Sequence, residues 1–357
     1  MRRLVLAAMA VFCVLPAKAT EFNPQLDGLV SGYIRPATTR FSEAAAALPG
    51  AVETVCQETG RAVADGFRSA FSDTVLAFSG VHFLRFGPLI DNDRVSRLAF
   101  MPDPRGITQR QLRKIRAGKD TDVLSVARLA DKSVAVQGLT ALELIAFSKS
   151  SEVVLGRDAA DKAFTCGYAL AIAVNVAKIA EELADDWADP DGYSTVLLSA
   201  GPDNDRFRTS REALESMFNT VVTGLIIARD QDLLPALGSS QEGAKPHRFP
   251  FSRSANSIVF LSGELTGLQE TLGSFNLEAL TPEEFAWIFD SISFEFGNAR
   301  SILEDLTPPL RQTFGEGDSY ARVKVLAITL QSLRDTIALE LAGALDLAGG
   351  FNALDGD

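Results

Sequence analysis

The fold is decided by residues 158–187, which read DAADKAFTCGYALAIAVNVAKIAEELADDW. Fifteen uncharged and mostly apolar residues follow one another from Ala163 to Ala177. A membrane-spanning helix needs about 20 such residues, so this run is too short to cross a bilayer. A helix that is apolar over most of its surface must instead be covered by other helices. The stretch therefore predicts the buried central helix of a helical bundle.

Helical periodicity continues on both sides of this central helix and accounts for most of the chain. A polar zone rich in glycine, proline and aspartate interrupts it between Asp185 and Asp205. We place a domain boundary there, which gives an all-α fold of two helical bundles packed side by side, residues 20–200 and 201–357. The helices are predicted at residues 23–48, 51–84, 108–115, 123–129, 134–147, 158–187, 211–229, 254–272, 282–289, 294–306 and 320–347.

Residues 1–19 have the pattern of a secretory signal peptide. Arg2 and Arg3 precede an apolar run over residues 4–15, and Ala17 and Ala19 occupy the two positions that a signal peptidase reads. The apolar run is too short for an uncleaved membrane anchor. We expect cleavage after Ala19, a periplasmic location, and no transmembrane segment in the mature chain.

Composition excludes several common classes of function. The 34 basic and 46 acidic residues give a net charge of −12, a balance that repels phosphate backbones and argues against nucleic-acid binding. The only histidines are His82 and His247, so the His-Glu-x-x-His pattern of metalloproteases is absent. Three cysteines are too few for a multi-cysteine zinc or iron–sulfur site. We predict His82, near the end of an apolar helix, to be a satisfied core or interface histidine, and His247 to be exposed.

Cys56 and Cys166 are the two cysteines left after removal of the signal peptide. An even pair in an exported chain favours a disulfide. The alternative is a pair of buried, unpaired thiols.

Glu143 is a carboxylate on an apolar helix face. At about 100° per residue it falls within the arc of Leu139, Leu142 and Ile145. A carboxylate in such a place must be hydrogen-bonded, paired or protonated. Two interpretations stay open: a buried anchor of a ligand site, or a structural carboxylate satisfied by an arginine such as Arg85, Arg105 or Arg253.

The hexapeptide Gly138-Leu139-Thr140-Ala141-Leu142-Glu143 resembles the Gly-x-His-x-x-Glu motif of the imelysin family. This is a family of exported, two-bundle helical proteins that groups metallopeptidases with iron-regulated periplasmic proteins. Gly138 and Glu143 match the motif, and Thr140 stands where the family has histidine. Further similar segments lie, in the family's order, at residues 85–88, 102–106, 233–238, 253–258 and 350–357.

The resemblance implies an imelysin-like fold, a metal ion such as iron or zinc with Glu143 as a ligand, and peptidase activity. The motif histidine is missing and a threonine hydroxyl is a poor ligand for zinc or iron. We therefore predict a non-catalytic periplasmic binding or accessory protein, linked to iron or metal uptake, with a polar cleft between the bundles. The residues predicted to converge on that cleft are Arg85, Asp103, Arg105, Glu143, Arg253 and Ser254.

Two alternatives to this prediction remain. One is a metallopeptidase of the imelysin type that retains Glu143, and the other is an envelope protein-interaction module. The expected partner is accordingly a small ligand, a metal ion or an envelope protein.

Overall fold

The computed structural model describes residues 22–348. The predicted signal peptide and the C-terminal segment 350–357 lie outside the described residues. Within the described part of the chain the structure is helical, and β-pairing is limited to one isolated bridge between Phe147 and Val153. The predicted all-α class is confirmed.

The helices are numbered in chain order. They are α1 (residues 23–57), α2 (Arg61–Ser79), α3 (Arg94–Leu98), α4 (Ile107–Gly118), α5 (Val126–Ala130), α6 (Leu139–Ala146), α7 (Lys162–Ala188), α8 (Tyr193–Leu198), α9 (residues 210–237), α10 (Ser257–Ser274), α11 (Trp287–Glu304), α12 (Leu310–Thr313) and α13 (residues 319–344). Short 3-10 helices lie at Gly87–Leu89, Asp91–Asp93, Thr121–Leu124, Val134–Val136, Pro246–Arg248, Leu277–Leu280 and Glu283–Phe285. Three of the long helices contain a π-helical segment, α1 at Val30–Ile34, α9 at Ile227–Leu233 and α13 at Thr336–Leu341.

Helix α7 is the central helix that the apolar run predicts. It packs against α1 and α6, and Tyr168, Ile172 and Val176 on its inner face are buried. A disulfide between Cys56 and Cys166 joins the end of α1 to the start of α7, as the even cysteine pair predicts. Residues 162–198 are long and apolar enough to cross a membrane by length and composition, but half of their most apolar window is buried inside the fold.

Helix α10 connects the first and second halves of the chain. It packs against α2 on one side and against α9 and α11 on the other. Gly263 and Gly267 face α2. A Cβ on Gly267 would lie 2.5 Å from the hydroxyl of Tyr33 and 2.9 Å from the ring of Phe83. The two helices therefore approach closely only because these positions carry no side chain.

The first break between helices lies at residues 58–60, and the predicted break between Leu48 and Ala51 is wrong. Pro49 lies inside α1, although an internal proline removes a backbone donor. Leu48, Val52 and Val55 are buried and continue the apolar stripe of the helix past the proline. Packing against α7 thus outweighs the local preference.

The segment 85–106, which lies between the predicted helices 51–84 and 108–115, contains helix α3 and two short 3-10 helices. Arg94 fixes it to α7. Its Nη1 donates to the carbonyl of Pro88 at 2.8 Å and to Asp186 Oδ2 at 2.6 Å, and Glu182 lies 3.5 Å away. The acidic end of α7 is thus partly paired.

Candidate functional site

Helix α6 carries Glu143 and is held tightly at its start. A Cβ on Gly138 would overlap the backbone carbonyl oxygens of Arg97 and Leu98, so α6 begins directly against the end of α3. Leu139 and Leu142 are buried. Glu143 shares their face and is only 7% exposed, as the helical arc predicts.

Ser254 satisfies the carboxylate of Glu143. Its backbone nitrogen and its hydroxyl both donate to Glu143 Oε1, each at 2.8 Å. Burial raises the pKa of Glu143, and the two hydrogen bonds from Ser254 and the nearby charge of Arg253 act in the opposite direction. Over residues 22–348 no arginine lies within 4.0 Å of this carboxylate. A direct ion pair with arginine is therefore wrong: Ser254 supplies the hydrogen bonds, and Arg253 acts on the carboxylate through its charge alone.

Glu143 lies in the wall of a cleft of about 760 Å³. The walls are residues 100–106, Thr108, Gln109, part of α6, three residues of α9 (Gln231, Asp232 and Pro235), residues 247–253 and Arg311. Of the residues predicted to converge, Asp103, Arg105, Glu143 and Arg253 are in the lining. Ser254 lies behind it through its bonds to Glu143. Arg85 is not in the lining, because it follows α2, which packs on α10.

Asp103 has a structural role in the cleft wall. Its two carboxylate oxygens accept hydrogen bonds from the backbone nitrogens of Ile107 at 2.8 Å and Thr108 at 2.9 Å. The carboxylate thereby satisfies free donors at the start of α4. The loop 102–106 is held in place by this contact.

Besides the carboxyl groups of Asp103, Glu143 and Asp232, the cleft is lined by four arginines. Arg105, Arg248, Arg253 and Arg311 line it, and in the described part of the chain none of them forms an ion pair within 4.0 Å. Arg253 donates to the carbonyl of Phe147 at 3.3 Å and Arg311 to Ser252 Oγ at 3.3 Å. Burial, and after it the charge of Arg311, lowers the pKa of Arg253. Two partly buried guanidinium groups with neutral partners favour an anion in the cleft.

The motif positions do not fit a metal ion. Thr140 Oγ1 accepts a hydrogen bond from the backbone nitrogen of Phe100 at 3.2 Å, and Glu143 Oε1 already accepts two from Ser254. A hydroxyl and one hydrogen-bonded carboxylate are a weak donor set for zinc or iron, and four arginines line the same cleft. The expectation of Glu143 as a metal ligand is not supported by this geometry.

A second polar cluster lies behind the cleft, and sequence reasoning missed it. His82, Asp232 and Glu264 face one another in the core, and the charge of Arg85 acts on all three. His82 is buried as predicted, yet its Nε2 lacks a hydrogen-bond partner in the described structure. The burial of Glu264 could have been predicted from the sequence, since this residue shares the apolar face of Leu261, Leu265 and Leu268. No sequence pattern indicated the burial of Asp232, because it ends a run of mixed polar residues.

Burial dominates the pKa values in this cluster. It lowers the pKa of His82 to about 3, with the charge of Arg85 acting in the same direction. It raises the pKa of both Asp232 and Glu264, against the opposing effect of Arg85. A neutral imidazole thus faces two carboxyl groups that burial drives towards their protonated forms.

The fold and the site define an all-helical protein with a cationic cleft. A model of the imelysin family, Peptidase_M75, matches residues 34–338, and the chain belongs to this family. No curated protein matches the sequence.

Two solved structures share the fold. One is an imelysin-like protein from Psychrobacter arcticum 273-4, with a TM-score of 0.76 and 17% identity over 95% of this chain and 100% of that chain. The other is a "putative iron-regulated protein A precursor" from Parabacteroides distasonis ATCC 8503, with a TM-score of 0.70 and 12% identity over 90% of this chain and 96% of that chain. At these identities the likeness extends to the fold alone.

Proposed function

We propose that this member of the imelysin family is a periplasmic, non-catalytic binding protein whose cleft takes a small anionic molecule. The observation that carries the proposal is the set of four cleft arginines without a carboxylate partner in the described residues. Arg253 and Arg311 are the principal ligand groups, because both are partly buried and both donate at present only to neutral oxygens. A guanidinium gains most from a carboxylate or phosphate where water is already excluded.

The absence of catalysis is supported by the motif positions. Thr140 cannot replace an imidazole as a metal ligand or as a base. The Glu143 oxygen that faces Ser254 is held by two hydrogen bonds, so this carboxylate orients the wall of the cleft. Its role here is to fix residues 251–254, and with them Arg253, against α6.

The link to iron is part of the proposal and comes from the Parabacteroides protein, which is described as iron-regulated. A bare cation would be repelled by the four arginines. An iron ion held by a polycarboxylate carries negative charge at its surface and suits the same cleft. Cargo of this kind reconciles a cationic site with a role in metal uptake.

The test is a binding titration of the purified protein at low salt with citrate, ferric citrate and inorganic phosphate, followed by thermal shift and calorimetry. We expect stabilisation by a carboxylate ligand, and affinities reduced about tenfold or more in Arg253→Gln and in Arg311→Gln, since one charge-assisted bond contributes about 1.5–3 kcal/mol. Arg61→Gln is the matched control, because the Arg61 side chain is 96% exposed and is not part of the lining. Equal binding by all four proteins, or no binding of any anion, would contradict the proposal.

Export and catalysis are tested separately. N-terminal sequencing of protein from the periplasmic fraction should begin at Thr20, directly after Ala19. Peptide hydrolysis that a chelator abolishes would overturn the non-catalytic assignment in favour of the metallopeptidase. Retention of an envelope protein by a variant that has lost anion binding would instead favour the interaction module.

A further inference from the structure

His82, Asp232 and Glu264 form a compact buried cluster. His82 Nε2 lies 3.3 Å from Glu264 Oε1 and 3.9 Å from Asp232 Oδ2. The three side chains are 1%, 3% and 0% exposed. In the described structure none of these three atoms has a hydrogen-bond partner. Buried polar atoms without hydrogen bonds destabilise the folded state, so a ligand that bonds to all three atoms would offset this cost.

The other nitrogen of His82 prepares the ring for coordination. Nδ1 lies 3.3 Å from the backbone carbonyl oxygen of Ser79, so it carries the ring proton and donates it there. The lone pair of Nε2 is then directed at the two carboxyl groups. Metal-binding histidines are commonly oriented by this kind of bond from the second nitrogen to a carbonyl.

Three separate elements hold the cluster in place. His82 follows the end of α2, Glu264 lies on α10, and Asp232 lies in the π-helical segment of α9. Gly263, next to Glu264, would place a Cβ onto the hydroxyl of Ser79, so α10 lies directly against the turn that carries His82. Interruptions of an α-helix by a π-helical turn are frequent at functional sites.

The distances suit a small cation. Zinc binds nitrogen and carboxylate oxygen at about 2.0–2.2 Å in tetrahedral geometry, which places neighbouring donor atoms about 3.3–3.6 Å apart. One donor from each of the three residues lies within 4.8 Å of the others. Imidazole with carboxylates is a donor set that zinc, iron and manganese accept. Small side-chain adjustments would bring the 3.9 Å pair into this range.

We propose that His82 Nε2, one oxygen of Asp232 and one oxygen of Glu264 bind a single divalent first-row transition-metal ion, such as Zn²⁺. The fourth position is left for water. Asp232 also lines the cleft, so the site borders the cleft on one side. The site is distinct from Thr140 and Glu143 and does not depend on the anion-binding function proposed for the cleft. Because its ligands are buried, the ion is resident and structural.

Arg85 affects the metal affinity of this site without being a ligand. Its charge acts on both carboxyl groups and compensates one of the two negative charges that they carry when ionised. A divalent ion must share the cluster with this guanidinium. Removing the Arg85 charge should therefore strengthen metal binding, an effect that damage to the fold would not produce.

The experiment strips the purified protein with a chelator and titrates it with Zn²⁺ and with Co²⁺, whose visible spectrum reports coordination. We expect one ion per chain and a Co²⁺ spectrum typical of nitrogen and oxygen donors. Glu264→Gln and Asp232→Asn should weaken binding at least about 100-fold. Glu270→Gln is the matched control, since Glu270 lies on the same helix and its side chain is 55% exposed.

Three results would overturn the proposal. They are the absence of a bound ion in the wild type, unchanged affinity in both carboxylate variants, and an anomalous diffraction peak of the metal-soaked wild-type crystal at Glu143 instead of His82. A carboxylate variant that fails to fold does not prevent the test. The metal affinity of Arg85→Gln, which we expect to rise, and the position of the metal in the wild-type crystal still decide whether the site exists. Metal binding without citrate binding would reject the proposed function alone, and the reverse result would reject this site alone.

Discussion

Ser254 donates two hydrogen bonds to the same oxygen of Glu143, one from its backbone nitrogen and one from its hydroxyl, although 111 residues separate them. The pair joins α6, in the first half of the chain, to the segment before α10, in the second half. Asn256 Nδ2 donates in turn to Ser254 Oγ at 3.0 Å. The hydrogen bonds between Glu143 and Ser254 therefore hold two walls of the cleft, α6 and the segment before α10, against each other.

Replacing Ser254 with alanine should destabilise the protein by about 1–3 kcal/mol. The substitution removes one of two donors from a buried carboxylate and leaves the Asn256 amide without its acceptor. Urea unfolding at neutral pH measures the difference. Ser301→Ala, on an exposed position of α11, controls for the loss of a serine, and an equal effect of both substitutions would contradict the assigned role of Ser254.

Glu143→Gln should flatten the pH dependence of stability. Burial raises the pKa of Glu143 above its ordinary value of 4.5, so between these two values the folded state holds a proton that the unfolded state has released. Its contribution to stability is complete below pH 4.5 and is lost as the pH rises through the pKa of the folded state. Glutamine keeps an oxygen for Ser254 and has no such proton.

The measurement is the free energy of unfolding of both proteins from pH 4 to pH 8, compared as the difference between them at each pH. Other buried groups titrate in the same range, and the difference removes their contributions. Relative to the wild type, the glutamine protein should gain stability as the pH rises. A constant difference would show that the pKa of Glu143 is not raised in the folded protein.

The sequence predicts those parts of this fold that depend on neighbours along one helix. The apolar run in α7 identifies the central helix, and the arc of Leu139 and Leu142 identifies Glu143 as a buried carboxylate. The same reasoning applies to Glu264, which shares the apolar face of α10 with Leu261. In each case one periodic segment contains all the necessary information.

The sequence does not predict contacts that join distant segments. Nothing in the local pattern pairs Glu143 with Ser254, or brings His82 to Asp232, because these contacts form only when separate helices pack. Arg85 illustrates the limit: its loop was predicted to reach the cleft, but the packing of α2 on α10 places its guanidinium behind the cleft. The domain boundary near residue 200 stays a prediction.

Loss of the disulfide between Cys56 and Cys166 should destabilise the protein by about 2–5 kcal/mol. The bond closes a segment with a sequence separation of 110 residues, and crosslinks across long loops restrict the unfolded chain most. Unfolding of the wild type with and without reductant measures the effect. The double variant Cys56→Ser, Cys166→Ser should unfold like the reduced wild type and should not respond to reductant; a reductant effect in the double variant would contradict the assignment.

Gly267→Ala should destabilise the protein by about 1–3 kcal/mol through overpacking. The added Cβ would lie 2.5 Å from Tyr33 Oη, 2.9 Å from the Phe83 ring and 3.2 Å from the Cα of Gly80. The Tyr33 hydroxyl cannot move away freely, because it donates to the carbonyl of Gly80 at 2.6 Å. Helix α10 must therefore shift away from α2, and Glu264, one turn earlier on α10, shifts with it.

The control for this substitution is Gly273→Ala on the same helix, where an added Cβ has no neighbour within 4 Å. Alanine at an open helical position should stabilise the protein by up to about 1 kcal/mol. Thermal unfolding of the two variants should thus move in opposite directions from the wild type. Zn²⁺ affinity should fall in the Gly267 variant and stay unchanged in the Gly273 variant. Destabilisation by both alanines to the same extent would show that helix propensity, and not the close approach of α2 and α10, determines the glycine at position 267.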